Sequence, residues 1–326
     1  MKLIIQIPCF NESATLPDTI RDLPERVPGF DTVEYLVIDD GSTDDTARVA
    51  REHGVHHVRR SSLNRGLAHA FAWGLEEALK LGADVIVNTD GDNQYAGECV
   101  DDLTRPILDG EAEIVIGDRK VETIAHFSRL KKILQRAGSW VVRWASGTGI
   151  PDATSGFRAF SREAALQLAV FSSYTYTLET IIQAGKKGIS ITSVPVKTNQ
   201  QLRASRLIQS VPRYVLRSAV TILRIFLMYE ALRVFITVGI FPVIFGIFLL
   251  LRFGYYFAIG DGAGHVQSLI VASILIVLGF LTFLLGMLAD LIAKNRRLTE
   301  EVSYRLRKME FEEKERTKAS TARDFN

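Results

Sequence analysis

Acidic side chains recur at three points where an apolar run of the sequence ends. These points are Pro8–Glu12, Asp39–Asp44 and Asn88–Gln94. Carboxylates grouped on one edge of a fold repel one another, and a bound cation would remove that repulsion. Mg²⁺ binds through one or two carboxylates together with substrate phosphates. Asp90 and Asp92 flank Gly91, which permits a tight turn, so this pair is predicted to hold a divalent ion beside a phosphate-bearing ligand.

Other common phosphate-binding sequences are absent. Neither G-x-G-x-x-G nor G-x-x-x-x-G-K-[ST] occurs, so a metal ion is the expected means of neutralising a diphosphate. Cys9 and Cys99 have no spacing typical of a zinc site or a disulfide framework. Cys9 follows an apolar run and is predicted to be a small core residue.

The first 200 residues alternate short β-rich runs with helical patterns. The predicted strands are Leu3–Ile7, Glu34–Ile38, Val55–Arg59, Val85–Asn88, Ile114–Gly117 and Ile189–Val196. The predicted helices are Thr15–Leu23, Thr43–His53, Leu67–Leu81, Gly97–Asp109, Arg129–Ser146, Arg162–Leu168 and Thr177–Lys187. This alternation predicts a doubly wound, mainly parallel sheet. Ligands of such sheets bind beyond the carboxyl ends of the strands, where the acidic clusters fall.

Two apolar runs near the C-terminus, Val234–Leu251 and Ser268–Ala289, are predicted transmembrane helices. Each is long enough to cross a hydrocarbon layer of ~30 Å, and neither has a polar face. Basic residues lie before the first run and after the second, at Arg213, Arg217, Arg224, Arg233, Lys294, Arg296 and Arg297. The positive-inside rule therefore predicts an integral membrane protein whose catalytic domain and both termini are cytoplasmic.

Four segments are predicted from these patterns. Residues 1–209 form a cytosolic catalytic domain, and 210–233 form an amphipathic helix at the membrane surface. Residues 234–293 form the two transmembrane helices. Residues 294–326 form a short amphipathic helix, with an apolar face that favours self-association, followed by a disordered tail over Glu312–Asn326.

Several motifs occur in the order found in glycosyltransferase family 2, and the sequence over about residues 3–210 resembles that family. The motifs are Pro8–Glu12, Asp39–Ser42, Asn64–Ala68, Asp90–Gln94, Gly117–Arg119 and Asp152–Phe160. Within the family, the resemblance is to polyprenyl-phosphate sugar synthases of the dolichol-phosphate-mannose and undecaprenyl-phosphate-glucose kind. It implies a GT-A fold, a Rossmann-like doubly wound sheet, for the catalytic domain.

The resemblance implies an inverting hexosyltransferase that uses Mg²⁺ or Mn²⁺. The donor would be UDP-glucose or GDP-mannose, and the acceptor a dolichyl or undecaprenyl phosphate. The residues implied to bind the nucleotide sugar are Pro8, Asn11, Glu12, Asp39, Asp40, Asn64, Gly66 and Asp90. The implied metal ligands are Asp90, Asp92 and Gln94.

Arginines are the expected partners of the acceptor phosphate, because guanidinium groups match phosphate oxygens. The implied contacts are Arg119, Arg129, Ser155, Arg203 and Arg206. The family's basic R-x-x-G-x-S-K cluster reads Arg203-Ala204-Ser205-Arg206 here, without the Gly and with Arg in place of Lys. A phosphate nucleophile is already ionised near neutral pH and chiefly needs positioning. The predicted catalytic residues are Asp152, Arg119 and Arg203, with Asp152 either orienting the acceptor or acting as base.

Some alternatives remain open. Arg158 is either a site residue or a structural one, and Glu179 is either a site residue or a helix-surface charge. A processive polysaccharide synthase would carry Q-x-x-R-W, but Trp140 stands at the Gln position before Arg143-Trp144. A nucleotidyltransferase would need a glycine-rich basic loop, and a non-catalytic scaffold would not need these carboxylates. Membrane lipids and a second copy of the chain are predicted partners, and nucleic acid is not.

Overall fold

The chain divides into two units, described here from a computed structural model. Residues 1–120, 138–144, 146–170, 176–199 and 211–324 are described. The first unit comprises Met1–Ile222 together with Ser303–Asn326, and the second comprises Leu223–Val302. The predicted phosphate-binding residues Arg129, Arg203 and Arg206 lie outside the described residues.

Seven strands form one mixed sheet in the first unit. They are β1 (Lys2–Cys9), β2 (Thr32–Asp39), β3 (His57–Arg60), β4 (Val85–Asn88), β5 (Ile114–Asp118), β6 (Arg158–Ser161) and β7 (Ile191–Pro195). Their order across the sheet is β3-β2-β1-β4-β6-β5-β7. All neighbouring pairs are parallel except those of β6, which runs antiparallel to β4 and β5. The predicted α/β class is confirmed.

Helices cover the sheet and connect most of its strands. In the first unit they are α1 (Leu16–Asp22), α2 (Thr46–Glu52), α3 (Leu67–Lys80), α4 (Val100–Leu108), α5 (Arg162–Gln167) and α6 (Thr177–Lys187). α3 shows why the pattern folds in this way, because its apolar residues recur at helical spacing and its inner face, including Phe71 and Leu75, is buried. Strands β1, β2 and β4 supply almost wholly buried runs, as expected for a sheet covered on both faces.

Strand β6 was not predicted from the sequence. Its four residues read Arg-Ala-Phe-Ser, which shows neither apolar alternation nor β-branched enrichment. This segment lies between β4 and β5 and forms backbone hydrogen bonds with both of them. These bonds stabilise its extended conformation. Tertiary pairing therefore outweighs the local signal.

The topology brings the three acidic clusters to one edge. β1 pairs with β2 on one side and with β4 on the other, so the order of connection reverses between β1 and β4. In open α/β sheets, ligands bind beyond the strand ends at such a reversal. The clusters that follow β1, β2 and β4 all lie at this position.

The second unit contains most of the two long apolar helices. α7 spans Val211–Ala258 and is interrupted at Glu230, whose φ of −131° and ψ of 32° are not helical. α8 spans Val266–Asp324. The stretches Glu230–Ala258 and Ala263–Phe311 contain segments long and apolar enough to cross a membrane. Both predicted spans fall within them.

Glycines allow the two apolar helices to pack closely. A Cβ added at Gly279 of α8 would lie 2.9 Å from the Gly239 carbonyl oxygen and would collide with Val243 of α7. A Cβ at Gly246 would lie 2.8 Å from Ile276 Cγ1. Small residues at helix crossings are the usual means of close packing within a bilayer.

Replacing Gly279 with alanine is expected to destabilise this helix pair. Crowding a packed interface costs about 1–3 kcal/mol, so the melting temperature in detergent should fall by several degrees. Gly254→Ala is the matched control, because a Cβ at Gly254 meets nothing within 4 Å. Alanine favours helix over glycine by ~1 kcal/mol, so the control should melt at or above the wild-type temperature. Equal melting temperatures for the two variants would contradict the packing described here.

The C-terminal segment differs from its prediction. α8 continues to Asp324, so most of the tail predicted to be disordered is helical. Its Lys, Glu and Arg residues are good helix formers, and the preceding turns, from Ser303 onward, pack on the rest of the first unit. Phe311 is buried under the Arg162 guanidinium, and Tyr304 and Lys308 bond Glu163 of α5.

Candidate active site

The loop after β1 is bonded to the loop after β2. Asn11 adopts a left-handed conformation with φ of 56°. The backbone N–H of Asn11 donates to Ser42 Oγ at 2.9 Å, and its side-chain Oδ1 accepts from the backbone N–H of Thr43 at 2.8 Å. Asn tolerates this conformation better than most residues. This predicted nucleotide-binding residue therefore fixes the spacing of two acidic loops.

The same β1 loop also reaches the loop after β4. Glu12 is buried, and its Oε2 lies 2.8 Å from Thr15 Oγ1. That hydroxyl lies 2.9 Å from the carbonyl oxygen of Gly91. Glu12 is thus positioned beside the turn that carries Asp90 and Asp92.

Asp39 and Asp40 end β2 in different environments. Asp39 Oδ1 accepts from the Ser42 amide at 2.8 Å, and its Oδ2 lies 3.3 Å from Arg60 Nε. Asp40 accepts from the backbone amides of Arg65 and Gly66 at 3.0 and 2.7 Å. Asp40 therefore holds the loop that contains Asn64, which is exposed, and Gly66, which has a positive φ. Through these bonds it fixes one part of the predicted nucleotide site.

The thiol of Cys9 shows that the acidic clusters converge. Cys9 is buried, and burial is the largest cause that raises the pKa of its thiol. The next causes are the negative charges of Glu12, Asp39 and Asp90, with Asp44 contributing least. The three strand ends lie together because β1 pairs with both β2 and β4, and Thr15 Oγ1 of the β1 loop donates to the Gly91 carbonyl of the β4 loop. A buried thiol with a raised pKa has no thiolate character, so Cys9 is a core residue.

Asp90 and Asp92 stand on either side of Gly91, directly beyond β4. The carboxylate oxygens of Asp90 lie 3.0 and 3.1 Å from the position that a Cβ on Gly156 would occupy. Asp92 Oδ1 accepts from the Gln94 amide at 3.3 Å. Glycine at position 156 therefore allows the backbone to approach the Asp90 carboxylate closely. No group of three or more His, Cys, Asp or Glu side chains forms a metal cluster in the described ranges.

A buried polar network supports this turn. Asn88 accepts from Gln6 Nε2 at 2.9 Å, and its own amide lies 2.8 Å from the Gly156 carbonyl and 2.9 Å from the Tyr176 hydroxyl. Tyr95 accepts from the Gly156 amide at 3.0 Å. Burial is the largest cause that raises the pKa of Tyr95 to about 12; the Arg119 charge opposes this rise and the Asp90 charge adds to it. Both tyrosines are therefore neutral hydrogen-bonding groups.

Arg119 and Asp152 form a buried ion pair. Arg119 Nε and Nη2 donate to the two oxygens of Asp152 at 2.7 and 3.0 Å, and Nη2 also donates to Thr154 Oγ1 at 2.7 Å. The exposed fractions are 8% for Arg119 and 3% for Asp152. Burial, the largest single cause, would raise the pKa of Asp152, but the Arg119 charge and the hydrogen bonds from Arg119 and Thr154 together outweigh it, so the net pKa is lowered. A carboxylate stabilised in this way is a weak base.

Arg158 is a structural residue. It is wholly buried and donates to the carbonyl oxygens of Ser155, Ala153 and Thr177 and to the hydroxyl of Thr180. Burial is the main cause that lowers its pKa to about 10, which still leaves it charged at neutral pH. Arg158 therefore ties the loop before β6 to α6.

Two further side chains in this region are buried. Ser155 is wholly buried, and its Oγ has no hydrogen-bond partner among the described residues. Glu179 is 1% exposed, which excludes the helix-surface alternative for this residue.

The structure brings together most of the predicted site. Pro8, Asn11, Glu12, Asp39 and Asp40 lie along the rim with Asp90, Asp92 and Gln94. The loop that carries Asp152 reaches the rim at Gly156, whose Cβ position lies 3.0 Å from Asp90 Oδ1, and Arg119 pairs with Asp152. Sequence reasoning missed Tyr95 and Tyr176. The sequence around each tyrosine indicates a role only through neighbouring polar residues. Their hydrogen-bond partners, Gly156 for Tyr95 and Asn88 for Tyr176, are distant in sequence.

Comparisons with known proteins agree with this geometry. The sequence profile of glycosyl transferase family 2 matches residues 4–168, about half of the chain. The polyprenol monophosphomannose synthase of Mycolicibacterium smegmatis is 29% identical over 63% of this chain and 81% of that protein. The UDP-N-acetylglucosamine–dolichyl-phosphate N-acetylglucosaminyltransferase of Methanococcus voltae is 28% identical over 59% of this chain and 83% of that protein.

A solved structure has the same fold. Glucosyl-3-phosphoglycerate synthase from Mycobacterium tuberculosis, in complex with Mn²⁺, UDP and phosphoglyceric acid, matches with a TM-score of 0.54 and 22% identity. The match covers 68% of this chain and 78% of that one. The predicted GT-A fold is thereby confirmed. With the family profile, the acidic rim and the fold in agreement, this chain belongs to glycosyl transferase family 2.

Proposed function

We propose that this chain transfers a sugar from a nucleoside-diphosphate sugar to a polyprenyl phosphate, with inversion at the anomeric carbon. The observation that carries the proposal is the convergence of Glu12, Asp39 and Asp90 at the reversal point of the sheet. The names of the two relatives support a lipid-phosphate acceptor. The apolar helices support it too, because a lipid-linked substrate must be met at a membrane.

The residues at the end of β4 fit a bound Mg²⁺ or Mn²⁺. Two carboxylates and the Gln94 amide are hard oxygen donors, and they fall short of a closed protein cage. This is the donor set expected when diphosphate oxygens complete the coordination. When bound, the ion would neutralise charge on the leaving diphosphate.

The remaining rim residues are proposed to bind the nucleotide. Asn11 and Asp40 hold their loops through backbone contacts, so the nucleotide meets a rim that is already ordered. Pre-ordered groups improve binding because less freedom is lost when the ligand arrives. The choice of sugar and base stays open between UDP-glucose, GDP-mannose and UDP-N-acetylhexosamines.

On the acceptor side, the Arg119–Asp152 pair favours positioning over base catalysis. Asp152 is held ionised by Arg119, and its lowered pKa makes it a poor proton acceptor. An ionised phosphate has no proton that must be removed before it attacks. Asp152 is therefore proposed to aim Arg119 at the acceptor phosphate. Arg129, Arg203 and Arg206 stay proposed phosphate contacts, together with Ser155.

The proposed location is an integral membrane protein with two spans and cytoplasmic termini. The cations Arg233 and Lys294, which lie just outside the apolar runs Val234–Leu251 and Ser268–Ala289, support this orientation. Self-association through the apolar face of the C-terminal helix stays a hypothesis. On that face, Leu306 and Met309 are exposed.

Turnover by the purified full chain tests the proposal. The protein in detergent is incubated with Mg²⁺ or Mn²⁺, an undecaprenyl or dolichyl phosphate, and one radiolabelled sugar nucleotide at a time. We expect a single sugar to be transferred per lipid phosphate from one of the donors. Several sugars per acceptor would favour a processive synthase. No transfer from any donor would contradict the proposal.

A further inference from the structure

Gly156 lies where the two halves of the candidate site meet. It belongs to the acceptor loop (Asp152–Phe157), which includes the aspartate paired with Arg119. A Cβ added at Gly156 would lie 3.0 and 3.1 Å from the two carboxylate oxygens of Asp90. Asp90 is the first residue of the metal turn (Asp90–Gln94). The contacts that hold Gly156 therefore set how the acceptor loop and the metal turn are arranged.

Both backbone polar groups of Gly156 are bonded to side chains that flank the metal turn. Its carbonyl oxygen accepts from Asn88 Nδ2 at 2.8 Å, and its N–H donates to the hydroxyl oxygen of Tyr95 at 3.0 Å. Asn88 is the last residue of β4, before the turn, and Tyr95 directly follows Gln94. The acceptor loop is thus held against the metal turn from both sides.

Tyr95 is itself held at its ring and at its backbone. Its exposed fraction is 4%, and its ring stacks on Phe157 with the centroids 5.0 Å apart. Its backbone forms an antiparallel bridge with Thr198, and its carbonyl oxygen accepts from Asn199 Nδ2 at 3.4 Å. Because the ring and the backbone are both packed, the hydroxyl of Tyr95 meets Gly156 in one defined position.

This arrangement matters for the proposed reaction, on which the inference rests. Transfer with inversion requires the attacking phosphate and the leaving diphosphate to lie in line through the anomeric carbon. A misplacement of about 1 Å can lower such a rate about a hundredfold. We propose that Tyr95 is a positioning residue, which holds the acceptor loop at the distance from the metal turn that in-line attack requires. Because it is buried, Tyr95 acts through Gly156 and not by contact with a substrate.

Tyr95→Phe tests this role, because it keeps the stacked ring and removes only the hydroxyl that holds Gly156. The full chain in detergent receives a radiolabelled sugar nucleotide and Mg²⁺ or Mn²⁺, with or without undecaprenyl phosphate. Two rates are measured: transfer of the sugar to the lipid phosphate, and transfer to water, which releases free sugar and nucleoside diphosphate. The metal turn is intact, so hydrolysis and its metal requirement should stay near the wild-type values. Transfer, and with it the ratio of transfer to hydrolysis, should fall about tenfold or more.

Tyr35→Phe is the matched control. Tyr35 is 6% exposed, and its hydroxyl donates to the Leu23 carbonyl oxygen at 3.2 Å, outside the proposed site. Both substitutions remove one buried hydroxyl that makes a hydrogen bond to the backbone, so they should lower the melting temperature by similar amounts. Only Tyr95→Phe should change the ratio of transfer to hydrolysis.

The possible failures of this proposal and of the transferase proposal are distinguishable. If the wild type transfers sugar, the positioning role is overturned by an unchanged ratio in Tyr95→Phe, by an equal fall of both rates, or by the same change in Tyr35→Phe. Absence of transfer by the wild type would overturn both proposals. If Tyr95→Phe does not fold, Asn199→Ala replaces it, because it removes the bond to the Tyr95 carbonyl from a half-buried position. That variant should lower the ratio in the same direction.

Discussion

Replacing Asp92 with alanine is expected to lower the rate of sugar transfer at least about a hundredfold while the protein stays folded. Loss of a carboxylate that holds a charge-neutralising ion removes several kcal/mol of transition-state stabilisation, and ~1.4 kcal/mol corresponds to a factor of ten. Asp92 lies on a partly exposed turn beyond β4, so the effect on stability should be small. Initial rates over a range of Mg²⁺ and Mn²⁺ concentrations, together with melting temperatures, measure both effects.

Asp102→Ala is the matched control for this substitution. Asp102 is an exposed carboxylate in the first turn of α4, only a short distance along the chain. Its removal should leave both the rate and the metal requirement unchanged. Full activity of Asp92→Ala in excess chelator would contradict metal-dependent transfer, whatever the behaviour of the control.

The acidic rim was predictable because its signal is local. Each cluster directly follows an apolar strand, and parallel strands in an α/β sheet bring their carboxyl ends to one edge. Asp39 and Asp90 could therefore be placed on the same edge without knowledge of any contact. The parallel pairing of β1 with β2 and β4 agrees with this inference.

The support beneath the rim was not predictable, because its partners are far apart in sequence. Asn88 bonds Gln6, Gly156 and Tyr176, which are separated from it by 82, 68 and 88 residues respectively. No periodicity or motif connects these positions. Strand β6 illustrates the same point, since its neighbours and not its own residues make it extended.

Arg119 and Asp152 show a different limit of sequence reasoning. Both were predicted as site residues, but their mutual bonding was not. Considered separately, an aspartate near an acceptor is a candidate base and an arginine is a candidate phosphate ligand. Their bidentate pairing gives the aspartate a lowered pKa and the arginine a fixed direction. The pair therefore acts as one positioning element in the proposed reaction.

Replacing Asp152 with asparagine is expected to destabilise the catalytic unit by about 3–5 kcal/mol, because it leaves the Arg119 charge buried without a counter-charge. The melting temperature at neutral pH measures this loss. Because the pKa of Asp152 is lowered in the folded protein, the ion pair contributes its full stabilisation of the folded state at pH values above the ordinary carboxyl pKa of ~3.9. That contribution disappears as pH falls through the lower folded pKa. The difference in melting temperature between wild type and Asp152→Asn should therefore shrink below about pH 4.

Removing both charges separates stability from chemistry. In Arg119→Met with Asp152→Leu, no uncompensated charge is buried, so much of the lost stability should return. Transfer should not return, because the guanidinium proposed to bind the acceptor phosphate is gone.

The single variant Asp152→Asn should raise the KM for the lipid phosphate more than the KM for the sugar nucleotide. Near-wild-type transfer by the double variant would show that the pair is purely structural, and the acceptor phosphate would then have to be bound by other cations.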